Sequence, residues 1–427
     1  MRKILMALST VFVMCACNGG SAATWHVDAS VKEFRDGTSW ETAFEKIQEG
    51  IDAAAGGDMV LVAQGTYVEN VLVRKRITLE AGEGGETVLD AGGNGAALAI
   101  LDADGLAIRD LTTTNAGGEA FGGIYCANST VIIEHCKVKG NSGTYGGGAF
   151  LVESSVTLKE CRIEGNTAEE NGGGIYVWRS RVLIDDCIIT GNSAEEGGGL
   201  FCWYAAPRIV RTVIAKNSAA IGGGIACDGS IPIIVNCTIA DNSATQGETG
   251  GLHCIKPSPT LSAPRIMNSI IWGNGKAVSG APRFKIEYCD TDDPSHAGAS
   301  GNISQAPQFV NASQGDYSLA SGSPCIDAGN PDPAYNDEDG TRCDMGAFGG
   351  TSYVREQAVI THVIAELSQD ILIYWLPASF DDFVLQAKRM LKEPWSGSTP
   401  LDAEQPYMET GVLFEERARF YRILRVE

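Results

Sequence analysis

From Gly123 to Gly251 the polar and apolar positions repeat. Four successive stretches read GGGAFLVESSVTLKECRIEGNTAEEN, GGGIYVWRSRVLIDDCIITGNSAEE, GGGLFCWYAAPRIVRTVIAKNSAAI and GGGIACDGSIPIIVNCTIADNSATQ. Their third glycines are Gly148, Gly174, Gly199 and Gly224; with Gly123 before and Gly251 after, the steps are 25, 26, 25, 25 and 27 residues. Two further columns keep the same phase: Cys136, Cys161, Cys187, Thr212, Cys237, and Asn141, Asn166, Asn192, Asn217, Asn242. Within a copy the alternation has period two. Ile175 and Val177 alternate with Tyr176 and Trp178, and Cys161 and Ile163 with Arg162 and Glu164. Period two predicts strands with one buried face. Gly, Asn and Ser, the residues that tolerate turns, bound each strand.

A unit this small cannot bury its own apolar face and must stack on its neighbours. The pattern therefore predicts an all-β solenoid of parallel strands, with equivalent residues roughly 4.8 Å apart on adjacent coils. Val138, Ile163, Ile189, Ile214 and Ile239 are its expected interior, together with the cysteine column. The asparagines are expected to stack their amides at a turn, each satisfying its neighbour. The glycine triplets are the expected corners.

The GGG-I-x…C-x-I-x-x-N repeat resembles that of right-handed parallel β-helix proteins of the pectate-lyase-like superfamily. Upstream, residues 24–70 resemble the usual start of such proteins. That likeness implies a capping helix over Trp40–Ala55, N-capped near Thr38 and Ser39, and a β-helix beginning near Met59. Residues 307–350, which include SPCIDAG, DEDGTR and CDMGAFGG, resemble the closing motif of the choice-of-anchor Q family, with Gly349 where a glutamate is usual. Residues 357–427 change character. Short apolar runs at Ile371–Trp375, Phe383–Gln386 and Phe420–Ile423 resemble a small fibronectin-type-III-like β-sandwich.

The N-terminus adds an address. Arg2 and Lys3 precede a short apolar run, Ile4–Met14, and the sequence Met14-Cys15-Ala16-Cys17 precedes a flexible Asn18-Gly19-Gly20-Ser21. This reads as a lipoprotein-type signal peptide over 1–17, with Cys17 as the lipidated residue and 18–24 as a tether. The β-helix then spans 25–350. An exported protein at the outer membrane or cell surface is expected, attached to the membrane through its lipid only; a secreted form is the alternative. The net charge of −21 opposes binding to nucleic acid.

Candidate chemistry is sparse. Outward positions after each glycine triplet carry Tyr125, Phe150, Tyr176 and Phe201, with Trp178, Trp203 and Tyr204 beside them. Aromatic rings exposed on a flat sheet suit stacking against sugars or burial under another chain. Glu169 and Glu170 are expected near Glu195 and Glu196 one coil on, where like charges repel unless a cation intervenes. Asp337 and Asp339, in an acidic loop short of a full EF-hand ligand set, are the candidate metal ligands, with calcium as the metal they suggest. No motif demands a cofactor. Cys325 and Cys343 are the disulfide candidates.

Of the elements that the resemblance to polygalacturonases would require, only Asp185-Asp186 is present. A lyase would need a basic face, for which Arg179, Arg181, Arg208, Arg211 and Lys216 are candidates. The favoured reading is a surface β-helix that binds extracellular polysaccharide or a surface protein through the aromatic face. A polysaccharide lyase or glycosidase and a passive spacer are the alternatives.

Overall fold

A computed structural model describes residues 22–31, 34–118, 121–246, 249–255, 263–280 and 284–350, and the backbone of five strands between 363 and 425. The expected signal peptide, residues 1–17 with Cys17, lies outside the described residues.

The body is a parallel β-solenoid whose described strands form sheets of nine, eleven, ten and five members, here faces A, B, C and D. One coil shows the order. Ile175–Trp178 lies on face A, Arg181–Asp185 on face B, Ile188–Thr190 on face C and Ser193–Glu196 on face D. Register is in phase with the sequence repeat: Ala149 pairs with Ile175, Ile175 with Leu200, and Leu200 with Ile225. Eleven stacked strands make a rod of about 50 Å.

The interior is the predicted one. Val138, Ile163, Ile189, Ile214 and Ile239 are buried, as are Cys136, Cys161, Cys187 and Cys237 and the second cysteine column of Cys126, Cys202, Cys227 and Cys254. The asparagine column forms a continuous ladder. Asn166 donates its backbone N–H and its amide Nδ2 to Asn192 Oδ1, at 2.9 and 3.0 Å, and Asn192 repeats both bonds to Asn217. A second bond from each Nδ2 reaches a strand carbonyl, as from Asn192 to Ile163. The buried amides are thus satisfied across coils. The cysteine column makes a weaker version, in which Cys187 Sγ lies 3.4 Å from Cys161 N.

At the glycine triplets the backbone does more than turn a corner. Between faces C and A, five coils insert a fourth strand, that of face D, which pairs in parallel from coil to coil and leads into the glycine triplet, so that each of these coils carries a short extra wall, here called the fin. Gly172 takes φ +70°, and a Cβ on Gly174 would stand 2.5 Å from the Gly199 carbonyl of the next coil. Coils of 25 and 26 residues stack because the fin absorbs the difference, with a register shift between Thr167 and Asn171.

The N-terminal end is closed. At the N-terminal end the helix spans Ile47–Ala53 only, shorter than the predicted Trp40–Ala55. Asp36 gathers Thr38 and Thr42 into a turn, and Phe44 bridges Val27 in extended conformation. The first helical amides, on Ile47 and Gln48, donate to the Glu69 carboxylate at 2.8 and 3.2 Å, and Lys75 Nζ caps the C-terminal carbonyls of Ile51 and Ala54. Gln48 also grips the edge strand Val71–Val73, donating to Leu72 O and accepting from Leu72 N. The first strand of the solenoid is Thr24–Val27, which pairs in parallel with Met59–Val62, so the coils start before the helix and not near Met59 as the resemblance implied.

Residues 307–350 fold back as a strap over faces B and C. Tyr317 OH donates to Asp241 at 2.8 Å, Asn330 N to Asn268 Oδ1 at 2.8 Å and Lys216 Nζ to Ser313 O at 2.7 Å. Its own Tyr317, Cys325 and Met345 are buried. The proposed disulfide is absent. Cys325 and Cys343 are both free thiols; Cys325 Sγ lies 3.1 Å from Asp290 Oδ2, and Cys343 Sγ accepts from Asn236 Nδ2 at 3.1 Å.

Toward the C-terminus, Val363–Leu367, Asp370–Tyr374, Phe420–Arg425, Val412–Arg417 and Met408–Glu409 lie side by side in that order in one antiparallel sheet. Residues 383–386 lie outside the described residues, and no second layer of a sandwich is found among those described.

Candidate functional site

Strand parity sends Tyr125, Phe150, Tyr176 and Phe201 outward from face A in register. Outward is not exposed here. Phe150, Tyr176 and Phe201 retain 4–5% of their surface and form a second apolar cluster with Ala226. Phe150 and Tyr176 stack at 4.7 Å, and Tyr145, on the fin, closes over both at 6.1 and 5.8 Å. Phe121 stacks on Tyr125 at 4.0 Å. The expectation of one exposed aromatic face is therefore corrected. Three of its members form a sheltered core, Tyr125 is half-buried beside Phe121, and burial pushes the Tyr176 phenol well above its ordinary range.

The other three remain accessible. Trp178 and Trp203 end consecutive face A strands and stack at 5.6 Å with planes 20° apart. Phe150 lies on the far side of Trp178, 6.3 Å away and nearly parallel. Trp203 keeps 36% and Tyr204 48% of its surface, with ring centres 5.8 Å apart. Tyr204 sits at the corner between faces A and B with φ +45° and lies over Gly229 of the next coil, where a Cβ would meet its ring at 2.7 Å. Arg179 lies 5.9 Å from the Trp178 ring centre and pairs with Glu153 at 3.8 Å. The indole N–H of Trp178 is buried without an acceptor.

Two acidic residues lie toward this corner: Asp228, which the sequence reading did not single out, and Glu196, which it named only for its charge beside Glu169 and Glu170. Asp228 is the register partner of Trp203, occupying the tryptophan column one coil on. Glu196, at the fin tip, is near enough to Asp228 for their charges to interact. Burial raises its carboxyl pKa, helped by Glu195 and Asp228. The position of Asp228 in the Trp column was the available signal.

The other candidates do not converge. Asp185 and Asp186 meet Arg211, whose Nη2 donates to Asp186 at 2.9 Å while its Nε stands 3.6 Å from Asp185. The Asp185 side chain is 5% exposed, and burial raises its pKa against the pull of Arg211. Arg208, also buried, has its pKa lowered by the same desolvation. Asp185 and Arg208 are thus committed to a largely buried cluster, while Asp186 keeps 48% of its side-chain surface. This cluster ends a ladder of alternating charge along face B, in which Arg109 bridges Glu80 and Glu134 at 3.3 and 3.0 Å and Lys159 follows in register. With Lys216 committed to the strap, the proposed basic face is dispersed.

Asp337 accepts from the Asp344 and Gly350 amides, and Asp339 from the Thr341 amide and hydroxyl. Their oxygens fold their own loop. Glu169 accepts from Thr144 Oγ1, and a hydrogen bond to Glu170 raises the pKa of Tyr145. Among the described residues no three His, Cys, Asp or Glu side chains converge as a metal site would require, so the calcium expectation finds no ligand set. On the outer side of the fin, Gly118, Ser142, Gly143, Thr144, Thr167 and Glu169 line an open hollow of about 630 Å³, a polar feature not foreseen from the sequence.

A family model described as "Right handed beta helix region" matches residues 89–181 and 122–291. Residues 89–291 thus match a right-handed β-helix region, in agreement with the parallel coils described above. No curated protein matches. Among solved structures it is similar to pectate lyase Pel9A (13% identity, TM-score 0.48, 78% of this chain and 98% of that one). It is also similar to the pectin methylesterase from Aspergillus niger (15%, 0.36, 67% and 91%) and to a lacto-N-biosidase from Eubacterium ramulus (11%, 0.37, 63% and 64%). Likeness at this level says nothing of activity.

Proposed function

We propose that this right-handed β-helix is an exported, lipid-anchored surface protein that holds an extracellular polysaccharide on Trp178, Trp203 and Tyr204. One observation carries the reading. On a face whose other large rings are covered, Trp203 and Tyr204 stay 36% and 48% exposed, side by side at a corner. Rings held rigidly by the backbone and left open to water are suited to stacking on the apolar faces of pyranoses, and two of them cost little side-chain entropy to engage.

In this reading Cys17 carries the anchor, residues 307–350 are a choice-of-anchor-Q-type strap that seals the coils, and the C-terminal strands are one layer of a small sandwich. The rod holds the corner away from the membrane.

The test is affinity electrophoresis of the mature chain and its Trp203→Ala,Tyr204→Ala variant through gels containing plant, algal and bacterial polysaccharides, with ultraviolet absorbance followed for unsaturated products. Retardation of the parent by at least one polymer, lost in the variant, is expected. Equal mobility of the two in every gel overturns the site. New absorbance on a polymer replaces binding with a lyase activity.

A further inference from the structure

The open corner also holds a cation. Arg179 follows Trp178 at the end of its face A strand, and its backbone N–H donates to Trp203 O on the next coil at 3.0 Å. Glu153, Arg179 and Tyr204 turn the same corner on successive coils, each with φ +45°. Two neighbouring layers of the corner therefore carry Trp178 with Arg179 and Trp203 with Tyr204, and the guanidinium carbon lies 5.9 Å from the Trp178 ring centre.

This guanidinium is loosely held. The carboxylate that pairs with it, Glu153, stands 3.8 Å away, within reach of an ion pair and beyond that of a hydrogen bond. Both side chains are open to water, at 39% and 51% exposure. An exposed pair at that distance contributes little, so an incoming anion displaces it at small cost. Arg109 and Arg211 differ, since they donate hydrogen bonds to Glu134 at 3.0 Å and to Asp186 at 2.9 Å. The Arg179 fork donates none to the described residues, and its N–H groups are left for a ligand.

A planar fork beside open rings suits an oxyanion carried on a pyranose. The sugar ring lies against Trp203 and Tyr204, and its charged group, or that of the next sugar, takes parallel N–H bonds from Arg179. The formal charge of −21 opposes a polyanion at long range. At physiological ionic strength, charges more than about 8 Å away are largely screened, and the contact at the corner decides.

We infer that Arg179 makes the Trp203–Tyr204 corner selective for glycans that carry an oxyanion, a carboxylate or a sulfate ester, over uncharged ones. The inference rests on the glycan reading above and narrows it to a substrate class. Arg179 is the specificity-determining residue, and the rings supply the contact area.

The experiment uses the full mature chain at physiological ionic strength with a chelator present, so that no divalent cation bridges ligand and protein carboxylates. Calorimetric titration compares cellohexaose with a galacturonate hexamer and a sulfated galactan hexamer. At least one anionic hexamer should bind about tenfold or more tighter than cellohexaose, as hydrogen bonds to a charged group allow; which of the two does so identifies the oxyanion. Arg179→Gln should abolish that preference and leave cellohexaose binding as it is. Cellohexaose bound as tightly as both anionic hexamers, or an Arg179→Gln variant with an unchanged ratio, overturns the inference while the glycan reading stands. Absence of binding by all three, or binding untouched by Trp203→Ala, overturns the glycan reading and the inference with it.

Discussion

Two groups of aromatic residues share face A and meet different fates. Phe150, Tyr176 and Phe201 stand inside their strands and are sealed, Phe150 and Tyr176 with Tyr145 of the fin packed against them. Trp178 and Trp203 stand two positions on, at the strand ends beyond the fin's reach, and Tyr204 follows on the corner itself. All point away from the interior by the same parity. In a coiled sheet, a side chain pointing outward is exposed only where no later part of the coil returns over it.

The sharpest way to break this contrast is to delete a sheltered ring. Tyr176→Ala should cost about 3–5 kcal/mol in denaturant unfolding, as large-to-small changes in a packed core do, although the residue faces away from the solenoid interior. A loss under about 1 kcal/mol would mean that the fin is not a real cover. Next in size is the root of the fin. Asn192→Ala strips the acceptor from the backbone N–H and the amide of Asn166. Two buried donors left unmet should cost about 3 kcal/mol, with faster amide exchange over Ser193–Glu196.

Trp203→Ala sharpens the contrast from the open side. Its stability should stay within about 0.5 kcal/mol of the parent, while glycan affinity falls at least tenfold, about 1.4 kcal/mol. The smallest effect concerns Glu196. Its folded pKa is raised, so the stability of its protonated form is complete below the ordinary glutamate range and is lost as pH rises through the folded value. Glu196→Gln should therefore match the parent in acid and gain about 0.5 kcal/mol or less at neutral pH, seen as a pH-dependent difference in unfolding midpoint.

Much of the coil was legible in the sequence because stacking writes itself as period. The asparagine, cysteine and isoleucine columns each need one residue type per turn, and each appears on schedule at about 25 residues. The fin was not legible, because Thr167–Asn171 and Ser193–Glu196 carry few apolar residues and resemble a solvated turn. Without the fin, the shelter of Tyr176 has no signal. The strap, too, hides its contacts. Asn236 and Asn268 read as ordinary turn residues, yet they receive Cys343 and Asn330 from about 60 to 110 positions away. The acidic member of the open corner was visible only as an exception: Asp228 breaks a tryptophan column.

The grip of Gln48 on Leu72 also bears on how these molecules meet one another. A stack of coils has no intrinsic last layer, and a bare end strand offers its backbone to whatever strand arrives, including the matching end of a second molecule. By saturating both backbone groups of Leu72 with one side-chain amide, the chain ends its own growth at that rim. Gly37 and Phe44 do the same for His26 on the neighbouring edge strand, so two of the rim's strands have backbone groups already occupied from within the chain.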